Sequence, residues 1–66
     1  MEFTVYDFSD YFGYLDLVST DYATETSIDV SMFYDDDREE WDDEAIRTSA
    51  EATVRARFGE DAKILW

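Results

Sequence analysis

An acidic run in the second half of the chain constrains the fold more than any other sequence feature. Eight of the ten residues from Asp35 to Glu44 are acidic, and the other two are Arg38 and Trp41. The run lies between a strand-like segment and the only long helical pattern. Aspartate caps the free N–H groups at a helix start, and carboxylates suit the positive end of the helix dipole. One helix start needs far fewer carboxylates than this, so the excess indicates a role outside the fold.

The composition predicts a small folded domain. The chain has 66 residues, no cysteine, no histidine and a formal net charge of -13. A chain of this length buries only about 60% of the surface that its unfolded form exposes, so its core is thin. A disordered acidic tail could carry such a charge, but the abundant aromatic residues and the lack of proline favour a folded chain. Without cysteine or histidine, neither a disulfide nor a structural zinc site is expected.

Alternating side chains predict strands in the first half of the chain. Residues 2–8 alternate, with Phe3 and Val5 on one face and Phe8 on the other. Residues 26–34 form the clearest strand, because one face carries Ile28, Val30, Met32 and Tyr34 and the other carries Ser27, Asp29 and Ser31. Such alternation is typical of a sheet with one solvated face.

The segment between these strands allows two interpretations. In the first, residues 9–13 are a turn and residues 14–20 a second strand, which together complete a hairpin. In the second, a short helix capped by Ser9 replaces the strand. Gly13 and the Val-Ser-Thr sequence that follows disfavour this helix, because such residues are poor helix formers.

One long helix is predicted over residues 38–58. Asp37 is its expected N-cap, and Glu40 three residues later completes a capping-box-like pair. Gly59 suits the position just after the helix, and residues 62–66 read as a final short strand. The predicted fold is therefore α+β: a small antiparallel β-sheet of three to four strands packed against one long α-helix, in the order β-β-β-α-β, as a single domain over residues 1–66.

The aromatic and aliphatic residues divide into core and surface. Trp41 has two interpretations: it folds down onto the sheet, or it is an interface anchor ringed by carboxylates. The tyrosines and Phe12 between residues 11 and 22 are too many for so small a core, so some are expected at the surface, where they could form a homodimer contact or part of a partner interface. The predicted core consists of Phe3, Val5, Ile28, Val30, Met32, Ile64 and Trp66.

The sequence offers no recognisable catalytic or metal chemistry. It has no histidine, no cysteine and no Gly-rich phosphate loop, and Lys63 is its only lysine, so we expect no enzymatic activity and no cofactor. An EF-hand counted from Asp35 fails, because Glu40 stands where glycine is needed and Ile46 where the bidentate glutamate is needed. Only loose, non-specific association with divalent cations is expected.

Imitation of a polyanion is the interpretation that the acids favour. Same-face residues lie roughly 6.6 Å apart along a strand and about 5–6 Å apart on a helix, which resembles the charge spacing of a phosphate backbone. Carboxylates in such rows could occupy the basic surface of a nucleic-acid-binding protein. Direct binding to nucleic acid or to an anionic membrane is not expected, because like charges repel. The expected partner-binding residues are Asp35, Asp36, Asp37, Glu39, Glu40, Trp41, Asp43, Glu44, Asp29 and Asp10, and the wider acidic rows add Asp7, Asp16, Asp21 and Glu25.

The chain resembles the small acidic anti-CRISPR proteins of phages and mobile elements, in particular DNA mimics that inhibit type I (Cascade) systems, including type I-C. The features that carry the resemblance are the run from Asp35 to Glu44, the first 37 residues without a lysine or arginine, the aromatic richness and the lack of catalytic residues. The resemblance implies that the protein covers the basic surface where Cascade engages target DNA, near the subunit that reads the PAM. It also implies a cytoplasmic location in a bacterial host cell, with the acids replacing phosphates and Trp41 or nearby tyrosines as anchors.

A different class of function fits the same composition. A small acidic adaptor or immunity protein could neutralise a basic toxin, or stabilise a complex, without imitating DNA. Competition distinguishes the two, because a mimic and DNA exclude each other on the partner, whereas an adaptor need not displace DNA.

Overall fold

In a computed structural model of the chain, which describes residues 1–9 and 13–66, one helix covers one face of a four-stranded sheet. The predicted α+β class is confirmed, with three sheet strands before the helix and one after it. A short 3-10 helix and a two-stranded hairpin lie between the third strand and the helix. The elements are β1 Glu2–Ser9, β2 Tyr14–Ser19, β3 Glu25–Asp29, a 3-10 helix Ser31–Phe33, β4 Tyr34–Asp35, β5 Glu40–Trp41, α1 Asp43–Phe58 and β6 Lys63–Leu65.

The sheet is mixed rather than purely antiparallel. Its strand order is β3-β2-β1-β6, and the β1–β2 and β2–β3 pairs are antiparallel. β6 runs parallel to β1, with Phe3 opposite Ile64, so the predicted antiparallel sheet is wrong for this last strand. β3 and β6 consequently point the same way. Parallel strands need a crossover connection, and the helix α1 supplies it.

The core lies between the sheet and α1. Ile46, Ala50 and Val54 are buried at helical spacing along one side of α1, and they pack against the inward side chains of the strands. The buried cluster consists of Phe3, Leu15, Leu17, Ile28, Val30, Ile46, Ala50, Val54, Ala62 and Ile64. Four of the seven predicted core residues belong to it.

The other three predicted core residues are largely exposed, so their assignment to the core is wrong. Val5, Met32 and Trp66 keep 40%, 64% and 45% of their surface accessible. Met32 lies in the 3-10 helix, because β3 ends earlier than the sequence pattern suggests. The Asp29 carboxylate accepts hydrogen bonds from the Ser31 N–H (3.0 Å) and hydroxyl (2.7 Å), and this local turn replaces continued strand pairing.

A β-bulge in β1 changes which side chains face the helix. The register shifts between Val5 and Asp7, so that Tyr6 has no direct partner on β2. After the shift, Phe8 lies opposite Leu15 on the helix-facing side and packs against the core. The predicted alternation, which put Phe8 on the face opposite Phe3, is therefore wrong for Phe8, because an extra residue in one strand reverses the faces that follow it.

Residues 14–19 form a strand, so the hairpin interpretation is confirmed for them and the short-helix alternative is wrong there. The first residues of the alternative helix would be residues 10–12, which lie outside the described residues. Gly13, directly before β2, has a φ of 72°, and its carbonyl accepts a hydrogen bond from the Val30 N–H at 2.8 Å. A Cβ at Gly13 would meet the Ser31 Cβ at 2.7 Å, so glycine is needed both for its conformation and for the close approach of this segment.

The predicted helix start is wrong, and the predicted end is confirmed. α1 begins at Asp43, and its N-cap is Asp42, whose carboxylate accepts a hydrogen bond from the Ala45 N–H at 3.1 Å. Asp37 caps no helix, because it lies in the turn of the β4–β5 hairpin. At the other end, Gly59 adopts a φ of 109° and donates its N–H to the Arg55 carbonyl at 2.9 Å.

Candidate partner-binding surfaces

The acidic run folds mainly into a short projecting hairpin, which we call the acidic hairpin (residues 34–41). Tyr34 pairs with Trp41 and Asp35 with Glu40. The Asp35 carboxylate accepts hydrogen bonds from the N–H groups of Asp37 (3.0 Å) and Arg38 (3.3 Å). Aspartate stabilises a turn in this way at the expense of a helix. This is the physical reason why the run does not continue the helix toward its N-terminus.

The only base of the run is held within the hairpin. The Arg38 guanidinium lies 3.9 Å from the Asp35 carboxylate and 3.5 Å from that of Glu40. These contacts are exposed and are therefore weak. They nevertheless direct the single positive charge toward its own hairpin, while Asp36, Asp37 and Glu39 extend into solvent at the turn.

Trp41 attaches the hairpin to the edge of the core. Its ring makes edge-to-face contacts with Phe8 (centroids 5.2 Å apart) and with Tyr34 (5.0 Å). Trp41 is partly buried and packs against the core cluster. The structure thus agrees with the interpretation that Trp41 folds onto the sheet, while its predicted role in partner binding stays a prediction.

The hairpin, the 3-10 helix and the start of α1 enclose an open cleft of about 740 Å³. Six carboxylates line it, together with the rings of Phe33, Tyr34 and Trp41. Among the described residues, no three acidic side chains converge closely enough to hold one metal ion. The carboxylates are instead spread along the cleft, an arrangement that suits several separate positive charges. They belong to Asp35, Asp36, Asp37, Glu40, Asp42 and Asp43.

The structure brings most of the predicted partner-binding residues to this end of the molecule. Asp43 and Glu44 lie exposed in the first turn of α1, beside the hairpin that carries Asp35, Asp36, Asp37, Glu39, Glu40 and Trp41. Asp29, at the end of β3, does not line the cleft, and Asp10 lies outside the described residues. Asp42, which both caps α1 and lines the cleft, was missing from the predicted set. Its signal in the sequence is an aspartate directly before an acidic first helical turn.

A second acidic surface lies on the sheet. We call the side of the sheet opposite α1 the open sheet face. Its side chains alternate with the buried ones along β3 and over residues 14–17 of β2. The register places Asp16 opposite both Asp7 and Ser27, and Asp29 opposite Tyr14. Asp7, Glu25 and Asp29 are exposed and Asp16 is half-buried.

Two aspartates outside the hairpin are held in the charged form by local hydrogen bonds. The hydroxyl of Ser31, and then its backbone N–H, lower the pKa of Asp29 below its ordinary value. The hydroxyl of Ser19, and then the backbone N–H of Ala23, lower the pKa of Asp21 in the same way. Hydrogen bonds to a carboxylate favour its ionised form. Both groups therefore stay negative to lower pH than an isolated aspartate.

All five basic residues make contacts within the chain. Lys63 pairs with Glu2 (3.3 Å) and Arg55 with Glu51 (3.7 Å). Arg47 lies over the ring of Trp66, 5.4 Å from its centroid. Arg57 donates hydrogen bonds to the Thr26 hydroxyl and to the Ser27 carbonyl at the edge of β3. With Arg38 in its hairpin, the positive charges compensate few of the 18 acids.

Searches of the chain against protein-family models, curated proteins and solved structures find no match. Within the described residues, no helix is both long and apolar enough to cross a membrane.

Proposed function

We propose that the protein is a non-enzymatic inhibitor that imitates the negative charge of nucleic acid and occupies the basic surface of a nucleic-acid-binding complex. One observation carries the proposal: every carboxylate from Asp35 to Glu44 is exposed, and the single base among them, Arg38, pairs within its own hairpin. A structural role would not require such a concentration, since a net charge of about 2–8 in magnitude keeps a small domain soluble.

The energetic argument follows from the way basic proteins bind DNA. A Lys/Arg surface gains affinity when a polyanion releases bound counterions, and long-range attraction speeds the encounter. Carboxylates that are spread along a projecting hairpin and the adjoining helix start offer the same gain without any nucleic acid. The folded body positions them in advance, so little ordering entropy is lost on binding.

The target that we propose is a type I Cascade, because such a complex has a basic surface that binds DNA. This follows from the resemblance to acidic anti-CRISPR proteins stated above. The hairpin would cover the surface where Cascade engages target DNA, near the subunit that reads the PAM. In that position the protein would exclude DNA by occupying its place.

A tagged pulldown from bacterial lysate, eluted with rising salt and repeated with excess duplex DNA, tests the proposal. We expect a basic nucleic-acid-binding complex that leaves the beads when DNA is added. A partner that stays bound in the presence of DNA would contradict mimicry and favour an adaptor or toxin-neutralising role.

Charge removal on the hairpin provides the second test. Asp35→Asn, Asp36→Asn, Asp37→Asn, Glu39→Gln and Glu40→Gln together should weaken binding to the captured partner and reduce its salt dependence, while the fold stays intact or becomes more stable. A matched comparison uses two double variants that each remove two negative charges. One is Asp36→Asn with Asp37→Asn in the hairpin, and the control is Glu60→Gln with Asp61→Asn in an exposed loop at the other end of α1. Equal affinities for the two double variants would mean that overall charge, and not the hairpin, determines binding.

A further inference from the structure

Among residues 1–9 and 13–66, no element packs against the open sheet face. α1 packs against the opposite side of the sheet, and the buried cluster lies between them. On the open side, the side chains of Tyr6 and Tyr14 stay 71% and 45% exposed. Two exposed aromatic side chains on one uncovered sheet face are a feature of surfaces that bind a macromolecular partner.

A groove on this face lies beside the bulge in β1. Tyr6 is the residue of the bulge that has no direct partner on β2. It borders a groove of about 340 Å³ together with Asp16, Glu25 and Ser27. The Ser27 hydroxyl donates a hydrogen bond to the Asp16 carboxylate, which orients that carboxylate without neutralising it. Bulges often redirect a side chain in this way near binding sites.

Negative charge on the open face is left uncompensated. Asp7 and Asp16 lie directly opposite each other across β1 and β2, and like charges in that relation destabilise a sheet. Lys63 is the one base whose strand position faces this side, and it lies at the far edge, paired with Glu2. Arg57 reaches the edge of β3 but bonds the Ser27 carbonyl and the Thr26 hydroxyl, not a carboxylate of this face.

We propose that the open sheet face binds arginine side chains of a basic protein partner, with a guanidinium stacked on the Tyr6 ring and hydrogen-bonded to the Asp16 and Glu25 carboxylates. The nature of the partner rests on the proposed function, but the surface is different from the acidic hairpin. Arginine fits better than lysine, because its planar guanidinium can stack on an aromatic ring and bond carboxylates at the same time. Charge complementarity selects this occupant: nucleic acid, an anionic membrane and a second copy of this chain would all be repelled.

An amide-resolved NMR titration of the whole protein with a short oligoarginine peptide tests the proposal. The expected result is that the largest shifts fall on the strand residues around Tyr6, Asp16 and Glu25, and that an oligolysine peptide of equal length binds more weakly. Shifts confined to the acidic hairpin, or spread evenly over all acids, would overturn the proposal.

Two variants sharpen the test. Asp16→Asn with Glu25→Gln should weaken oligoarginine binding roughly tenfold, since hydrogen bonds to charged groups are the strong ones. Tyr6→Leu keeps an apolar side chain but removes the aromatic face, so it should reduce the preference for arginine over lysine. The control is Glu60→Gln with Asp61→Asn, which removes the same charge elsewhere; if it weakens binding equally, the open face has no special role.

The two proposals can fail separately. If DNA displaces the captured partner but the open-face variants bind it like the control, the proposed function stands and the open-face contact is wrong. If the open-face variants lose affinity for a partner that DNA does not displace, the contact stands and mimicry is wrong.

Discussion

The sheet with its helix, which we call the body, and the acidic hairpin use the same chain in opposite ways. In the body, apolar side chains from the four strands and α1 pack into one buried cluster. In the hairpin no residue is buried, and only Trp41 and Tyr34 contact other aromatic rings. The comparison teaches that the buried contacts that stabilise the fold lie in the body, whereas the hairpin concentrates five carboxylates in eight residues, none of which is buried. Charges on the hairpin can therefore change without loss of the fold.

The largest effect is expected in the body, at Gly13. Gly13→Ala should destabilise the protein by about 2–4 kcal/mol, because the new Cβ meets the Ser31 backbone and the left-handed conformation becomes strained. Thermal or denaturant unfolding measures the loss. Gly59→Ala is the control, since a Cβ there has nothing within 4 Å and only the positive φ is penalised. Equal losses at both glycines would mean that the contact with Ser31 contributes nothing.

Trp41 tests how tightly the two regions are joined. Trp41→Ala should lower the free energy of unfolding by about 2 kcal/mol, because it removes two aromatic contacts from a partly buried position. Trp41→Phe should recover part of this loss. If affinity for the partner falls while stability does not, Trp41 is an interface anchor, and the hairpin does not depend on the body for its attachment.

The helix cap separates the two regions along the chain. Asp42→Ala should destabilise the protein by about 1 kcal/mol, because it removes the side-chain acceptor of the Ala45 N–H. The sequence pattern favours Asp37 as the cap. Asp37→Ala should nevertheless leave the free energy of unfolding nearly unchanged, or raise it slightly by reducing the repulsion between neighbouring carboxylates. The opposite ranking of these two variants would place the helix start within the hairpin.

The smallest expected effect is a change in the pKa of Asp29, a carboxylate of the body that accepts hydrogen bonds from Ser31. Ser31→Ala should raise the pKa of Asp29 toward its ordinary value of 3.8, because the first of the two groups that lower it is the Ser31 hydroxyl. Asp29 is more acidic in the folded protein, so its contribution to stability is present above pH 3.8 and is lost as the pH falls through the folded-state pKa. An NMR titration measures the pKa of Asp29 in the parent protein and in the Ser31→Ala variant. Asp21, bonded by Ser19, is the internal control and should not change.

Regular alternation and helical spacing made much of the body predictable. The strands at residues 2–8 and 14–20, the helix end at Phe58 and the final strand all follow from local side-chain patterns, and the structure contains each of them with small changes in length. The acidic surface was equally readable, because carboxylates remain exposed in almost any fold. Six of the predicted partner-binding residues line one cleft: Asp35, Asp36, Asp37, Glu40, Trp41 and Asp43.

The errors lie where a side-chain hydrogen bond, a bulge or a tertiary contact overrides the periodic pattern of the sequence. The strand predicted over residues 26–34 stops at Asp29, because the Ser31 N–H and hydroxyl bond the aspartate carboxylate. The bulge at Tyr6 reverses the faces of β1 and brings Phe8 to the core. The helix predicted from Arg38 gives way to a hairpin. Apolar periodicity contains neither these local hydrogen bonds nor the packing of Phe8 and Trp41 against the core.

The sequence by itself determined the α+β class, the number of main elements and the excess of negative charge, because hydrophobic period and composition act locally and survive any arrangement of the chain. The tertiary structure decided how the acids are presented. Trp41, packed between Phe8 and Tyr34, holds the acidic run as a hairpin in place of a first helical turn. The α1 crossover made β6 parallel to β1 and left one sheet face open. Long-range contacts such as these can outweigh local propensities that differ by less than about 1 kcal/mol per residue.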